Sequence, residues 1–153
     1  QAITRTLFLI ENQTLFHNIQ IKKELAASLP MVSVDIQQIN HLFMNIILNA
    51  AQAMEGRGRL TIRSLLHDNP QRVCIEIADS GPGIPEHILP RIFEPFFTTK
   101  QEGEGTGLGL SLAYSIVENH SGTIRAKSQT GAGTTFIIEL PIRLPETQGD
   151  HSE

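Results

Sequence analysis

The sequence predicts a two-layer α/β sandwich, a mixed sheet of about five strands with three helices on one face. Short alternating apolar runs bounded by Gly, Pro, Asn and Asp supply the strands, the clearest being 59–67, 72–78, 123–128 and 134–140. A long apolar stripe from Asp35 to Met54 recurs every three to four residues and supplies the main helix. A second helical stretch, Leu108 to His120, lies between two of the strand pairs and ends at Ser121-Gly122.

Each element has its own local reason. Ile3, Leu7, Ile10 and Leu15 fall at roughly helical spacing and predict a helix over 2–18. It either caps this domain or continues an upstream helical element. Ile19, Ile21, Lys23 and Leu25 read as an edge strand, and Met31 to Val34 as a short second one after the Ser28-Leu29-Pro30 turn. Asp35 is placed to cap the long helix, with Gln38 three residues on completing a capping-box pattern. Ile36, Ile39, Leu42, Phe43, Ile46, Ile47, Ala50 and Met54 form its stripe, with His41, Asn45, Asn49 and Gln52 off it. Gly56-Arg57-Gly58 ends the helix. Strands 59–67 and 72–78 form a hairpin across Asp68-Asn69-Pro70-Gln71. Pro85 starts a short helix toward Phe93, with Pro90 close to its end. The stretch FEPFFTTKQEGEGTG has no periodicity and reads as a mobile loop. The last two strands meet across QTGAG, and the polar tail after Pro145 reads as disordered. The organisation expected is residues 1–18 as an N-terminal helix, 19–145 as one domain and 146–153 as tail.

Composition narrows the function classes. A chain of 153 residues with 40% hydrophobic content carries one core. The net charge of −4, from 12 basic and 16 acidic residues, argues against general nucleic-acid binding. The single Cys74 forms no internal disulfide, and no Cys/His group has zinc spacing. No apolar run is long enough to span a bilayer, so the expected compartment is the cytoplasm, without membrane contact by this domain.

Three stretches carry chemistry. Ile77-Ala78-Asp79-Ser80-Gly81-Pro82-Gly83-Ile84-Pro85 ends a buried strand on a carboxylate and then turns on glycines. An Asp there can accept a directional hydrogen bond from a ligand, and glycines let a flat ring approach the backbone; Asp-Ser-Gly is also ordinary turn chemistry. Asn45 and Asn49, at i and i+4, share one helix face. Their carbonyl oxygens suit Mg²⁺, and the same spacing suits two solvated side chains. Gly103, Gly105, Gly107 and Gly109 precede a helix, an arrangement that offers backbone N–H groups to an anion. The run lacks the third Gly of a dinucleotide fingerprint, and no Gly-Lys pair exists for a P-loop.

In this order the stretches resemble the ATP-binding catalytic domain of sensor histidine kinases, within the wider family of gyrase-type and heat-shock-type ATPases. The resemblance covers roughly residues 19 to 143 and implies a Bergerat-type fold. It implies ATP and Mg²⁺ as cofactors. Asn49 would hold the metal, with Asn45 assisting. Asp79 would take the adenine amino group, with Gly81, Gly83 and Ile84 beside the ring. IFEPFFTTK resembles the F box, in which Phe93, Phe96 and Phe97 clamp a lid, Thr98 lies by the nucleotide and Lys100 reaches a phosphate. GEGTGLGLSLA resembles the G2 box, in which Gly105, Thr106, Gly107, Leu108, Gly109 and Leu110 wrap the triphosphate. GAGTTF resembles the last motif, in which a Thr assists Asp79; Thr134 is the assignment and Thr135 the alternative, since strand register decides. Asn45 and Lys100 are the catalytic candidates.

Two departures refine what the resemblance implies. Gyrase-like hydrolases place a Glu general base where this chain has Asn45, which cannot take a proton. Phosphoryl transfer is therefore expected over hydrolysis, with an ATP hydrolase and a protein-serine kinase of the anti-sigma-factor type as the alternatives. None of the six His residues opens the kinase acceptor motif H-E-x-x-N/T-P: only His67 is followed by an acidic residue, Asp68, and Gln71-Arg72 stand where that motif has Asn/Thr-Pro. The expected partner is thus a separate helical-hairpin domain carrying the acceptor histidine, with a response regulator downstream and this domain itself a monomer. NAAQAM resembles kinases of the nitrogen-regulation type.

Overall fold

A computed structural model describes residues 16–26, 34–68, 71–94 and 109–142. The strands are β1 (Asn18–Glu24), β2 (Arg57–Asp68), β3 (Gln71–Asp79), β4 (Thr123–Ser128) and β5 (Thr134–Pro141). They form one five-stranded sheet in the order β1-β2-β3-β5-β4. Only the β1–β2 pair is parallel, so the sheet is mixed. The edge position expected of the first strand is confirmed, and that strand takes in Asn18, one residue before the expected boundary. The expected 2–18 helix lies outside the described residues apart from Phe16, His17 and Asn18, of which none is in an α-helix and Asn18 begins β1. Of the expected strand over 31–34 only Val34 is described, and it is in no strand.

Two α-helices cover one face, α1 (Ile36–Ala53) and α2 (Gly109–Asn119). The expected count of three is too high among the described residues. The stretch after Pro85 forms turns and a single 3-10 turn at Leu89–Arg91, because Pro90 lacks an N–H and rigid prolines flank so short a segment. It still works as a helix would for the core, since Ile92 is buried and Ile88 and Leu89 pack against it.

Helix α1 is anchored by the stripe read from the sequence. Ile39, Leu42, Phe43, Ile46, Ile47, Ala50 and Ala51 are buried. They meet Leu60 and Ile62 of β2, Ile75 and Ile77 of β3, and Phe136 and Ile138 of β5 in one core. Burying each large side chain stabilises by about 1.5–3 kcal/mol. The capping box is half formed. Asp35 Oδ1 accepts the Gln38 N–H at 3.2 Å. The Asp35 N–H, the group Gln38 was expected to satisfy, donates instead to Nε2 of His120 at 3.0 Å. His120 thus ties the C-terminal end of α2 to the start of α1.

The face of the sheet away from the helices is ionic. Glu139 of β5 is buried there and accepts from Arg72 at 2.9 Å, with Arg125 at 3.8 Å. Cys74 lies opposite Glu139 in the β3–β5 ladder, and burial, with the carboxylates of Glu76 and Glu139, pushes its thiol pKa up.

Candidate nucleotide site

The antiparallel ladder between β3 and β5 brings Asp79 opposite Thr134, residues 55 apart in sequence. Asp79 is the last residue of β3 and Thr134 the first of β5, and both are buried. Oδ1 of Asp79 accepts the Gly81 N–H at 2.8 Å and the Thr134 N–H at 3.3 Å. Among the described residues no group donates to Oδ2, which keeps its lone pairs for a ligand. Burial raises the Asp79 pKa above its ordinary value of 3.8, and the two amide donors offset part of that rise.

The turn after Asp79 is docked onto the β4–β5 hairpin. Gly131 N–H donates to Pro82 O at 2.7 Å. Gly83 has φ +83°, and a Cβ there would run into the Gln129 carbonyl. Gly133 has φ +90°, and a Cβ would run into the Asp79 carbonyl. Both positions therefore require glycine twice over, for backbone conformation and for space. Gly81 is less restricted; its nearest neighbour would be Asp79 Oδ1 itself, at 3.0 Å. Ile84 is half-buried and packs against the core edge.

The register also separates the two threonines. Thr134 shares Asp79's face of the sheet. Thr135 points the other way, with Lys127 as its ladder partner. It helps line a cleft of about 680 Å³ with Lys127, Thr130 and Glu86, whose wall also includes Ile84, Ser128 and Gly133.

Asn45 and Asn49 share one side of α1, as their spacing requires, but both are half-buried, whereas the sequence put them away from the packed stripe. Helical periodicity sees only the helix's own pattern; the cover comes from other parts of the fold. Nδ2 of Asn45 is buried with no hydrogen-bond partner among the described residues. Such a group costs about 1–3 kcal/mol when unmet, so it is a position where a bound polar ligand gains. Oδ1 of Asn40 is a second such atom, and no motif pointed to it. His41 is exposed. Among the described residues no cluster of His, Cys, Asp or Glu could hold a metal ion.

Phe93 is half-buried between Tyr114 of α2, with ring centroids 5.5 Å apart, and Phe136 of β5, at 6.3 Å. It joins the segment after the Asp79 turn to the second helix. Gly109 opens α2 with no described residue within 4 Å of where a Cβ would sit, and Leu110 packs against the core. Phe96, Phe97, Thr98, Lys100, Gly105, Thr106, Gly107 and Leu108 lie outside the described residues.

Sequence reasoning missed Ser128. Its Oγ accepts the Ile84 N–H at 2.6 Å and lies 3.0 Å from both Gly133 O and Thr134 Oγ1. A lone Ser at a strand end carries no motif, and Ile84 is 44 residues away.

Against known proteins, residues 34–144 match the family model described as histidine kinase-, DNA gyrase B- and HSP90-like ATPase. The chain belongs to this family. The family is one of ATP-binding domains. The sensor kinase CckA of Brucella abortus is 40% identical over 146 residues, covering 87% of this chain and 15% of that protein. The sensor histidine kinase ZraS of Escherichia coli K12 is 37% identical over 142 residues, covering 93% of this chain and 30% of that protein. This chain therefore spans less than a third of the curated relatives it matches. The nucleotide-free catalytic domain of histidine kinase ThkA superposes with a TM-score of 0.78 at 34% identity, covering 92% of this chain and 90% of that one. ThkA in complex with the response regulator TrrA superposes with a TM-score of 0.75 at 30% identity, covering 93% and 40%. The domain is of the histidine-kinase type, and no described helix is long and apolar enough to cross a membrane.

Proposed function

We propose that this domain binds Mg-ATP and donates the γ-phosphoryl group to a histidine on a separate acceptor domain, in a two-component signalling pathway. The observation that carries the reading is Asp79: a buried carboxylate with one oxygen held by two amides and the other open. That oxygen accepts a hydrogen bond from the adenine exocyclic amino group. Gly81, Gly83 and Ile84 form the wall beside the base, and Thr134 supplies a hydroxyl next to Asp79.

ATP supplies the phosphoryl group, and Mg²⁺ neutralises triphosphate charge. Asn49 is the side chain that would hold the metal, with Asn45 beside it; the unpartnered amide of Asn45 supports a polar ligand on that face. Gly109 and Leu110, with Lys100, Thr98 and the glycines before α2, would hold the phosphates, and Phe93 would anchor that segment to the core. Asn45 has no basic atom to deprotonate water, which favours transfer over hydrolysis. The similarity to the ThkA–TrrA complex supports a response regulator as the downstream partner. We place the domain in the cytoplasm.

Calorimetric titration with ATP and GTP tests the central claim. Guanine carries a carbonyl oxygen where adenine carries the amino group, so two acceptors would face each other. GTP is expected to bind about ten- to a hundredfold more weakly. Asp79→Asn is expected to weaken ATP by a comparable factor while the fold persists. Equal ATP affinity in the folded variant and the wild type would remove Asp79 from the base site. In a transfer assay the chain alone is expected not to label itself, and added acceptor domain to restore labelling; acid-labile self-labelling would refute the separate acceptor.

A further inference from the structure

Resting on the reading of Asp79 as the base-recognising residue, we infer that Ser128 is a positioning residue that sets base specificity through Thr134. The argument is one of counting protons. The Ser128 hydroxyl has one proton and two lone pairs. One lone pair takes the Ile84 N–H at 2.6 Å. The proton has two acceptors at equal distance, Gly133 O and Thr134 Oγ1, each 3.0 Å away.

The choice between them fixes what Thr134 shows to a base. When Ser128 donates to Gly133 O, Thr134 gives its own proton to Ser128 and presents only a lone pair. When Ser128 donates to Thr134 Oγ1, the Thr134 proton is released for a ligand. Gly133 O can give up the Ser128 proton because it also takes the Gln129 N–H at 3.4 Å. Adenine pairs a donor, its amino group, with an adjacent ring acceptor. Guanine presents the reverse, a carbonyl oxygen beside a ring N–H. Asp79 as acceptor and Thr134 as donor, directly or through a water, match adenine and mismatch guanine. Only the second setting of Ser128 produces that pair. The same hydroxyl also holds the Ile84 turn against the hairpin, so the two walls of the base pocket share one fastening.

Removing the Ser128 hydroxyl leaves Thr134 Oγ1 free to rotate, able to donate to either base or accept from it. The test is displacement of a fluorescent ATP analogue by ATP and by GTP. Proteins compared are the wild type, Ser128→Ala, Thr134→Val, the double variant, and Asp79→Asn, each checked for folding by thermal melting. Ser128→Ala is expected to weaken ATP about five- to tenfold, the scale of one neutral hydrogen bond. GTP should change less than about twofold, so the ATP-over-GTP ratio shrinks at least about 2.5-fold. The double variant should fall no more than about twofold below Thr134→Val alone, as expected when one group acts through the other. Ser128→Thr, which keeps the hydroxyl, should retain the wild-type ratio. If Ser128→Ala does not fold, Ser128→Cys, nearly the same shape with weaker hydrogen bonding, takes its place. Equal losses for both nucleotides, an unchanged ratio, or additive effects in the double variant would overturn the inference. An ATP affinity unaffected by Asp79→Asn would instead overturn the reading of Asp79 itself, and the two failures are distinct.

Discussion

The two ends of the proposed site are built in opposite ways. At the Asp79 end the protein meets its own polar groups. Oδ1 of Asp79, the Thr134 and Gly81 amides, the Ile84 amide and Ser128 all have internal partners. Glycines at 83 and 133 are demanded by contacts within the fold. At the other end, by contrast, the Asn45 amide is buried with no partner among the described residues, and a Cβ at Gly109, the first residue of α2, would meet none of them. In the proposed reading the base end is largely preorganised, with selectivity set by its donors and acceptors, and the Asn45 amide is left for the nucleotide to meet.

The comparison breaks most readily at the metal side chain. Asn49→Ala is expected to lower transfer to a separate acceptor domain by a hundredfold or more, about what the loss of one well-placed charge-stabilising group costs. Its melting temperature should change little, since Ala is the better helix former. Asn49 is half-buried, so a small loss of packing partly offsets that gain. Transfer near the wild-type rate would remove Asn49 from the metal. Next in size is the contrast between glycines. Gly133→Ala must both adopt φ +90° and displace the Asp79 carbonyl, and is expected to cost roughly 2–5 kcal/mol in a denaturant melt. Gly109→Ala meets no atom of the described residues and should leave the melt within about 0.5 kcal/mol. Equal effects at the two positions would show that the base end is no more tightly constrained than the other.

Acidity sharpens the same contrast. The Asp79 pKa is raised by burial, and protonation removes the charge that strengthens the hydrogen bond from the amino group. ATP affinity is therefore expected to fall as pH is lowered through a range above the usual carboxylate value, and the Asp79→Asn variant should lack this dependence. For the unliganded fold the sign is opposite. The folded chain holds this proton more tightly than the unfolded one, so the residue's contribution to stability declines as pH rises through the interval above 3.8. Titrations of ATP affinity and thermal melts against pH check both directions. The smallest expected effect lies at the cap: Asp35→Ala should cost about 1 kcal/mol of stability and leave ATP affinity unchanged.

What could be read beforehand follows from the range of the interactions. Strands announced themselves because the alternation of Val73, Ile75 and Ile77 is a local record of a sheet with one buried face. Asp79 was legible because a strand, a carboxylate and a glycine turn adjoin in sequence. The choice between Thr134 and Thr135 was not, since it depends on a ladder to a strand 55 residues away. Gln38 was expected to finish the α1 cap, and His120, 85 residues distant, does so instead. Pro85 and Pro90 flank apolar residues at helical spacing, and the backbone constraint of proline prevailed over the pattern there. The burial of Asn45 and the role of Ser128 depend on neighbours that no local window contains.

The strand order has a consequence for how such a domain comes into being. β5 is the last strand in sequence, yet it occupies an interior position between β3 and β4. A nascent chain emerging from N- to C-terminus can pair β2 with β3 early, but the far side of β3 must wait for residues 134–141. Gly133 and Thr134 arrive with that same strand, so the pocket beside Asp79 closes only once β5 docks. A chain halted before residue 134 would hold Asp79 without its partner and is expected to be blind to nucleotide. Emergence of β5 and competence to bind are thus coupled by topology alone.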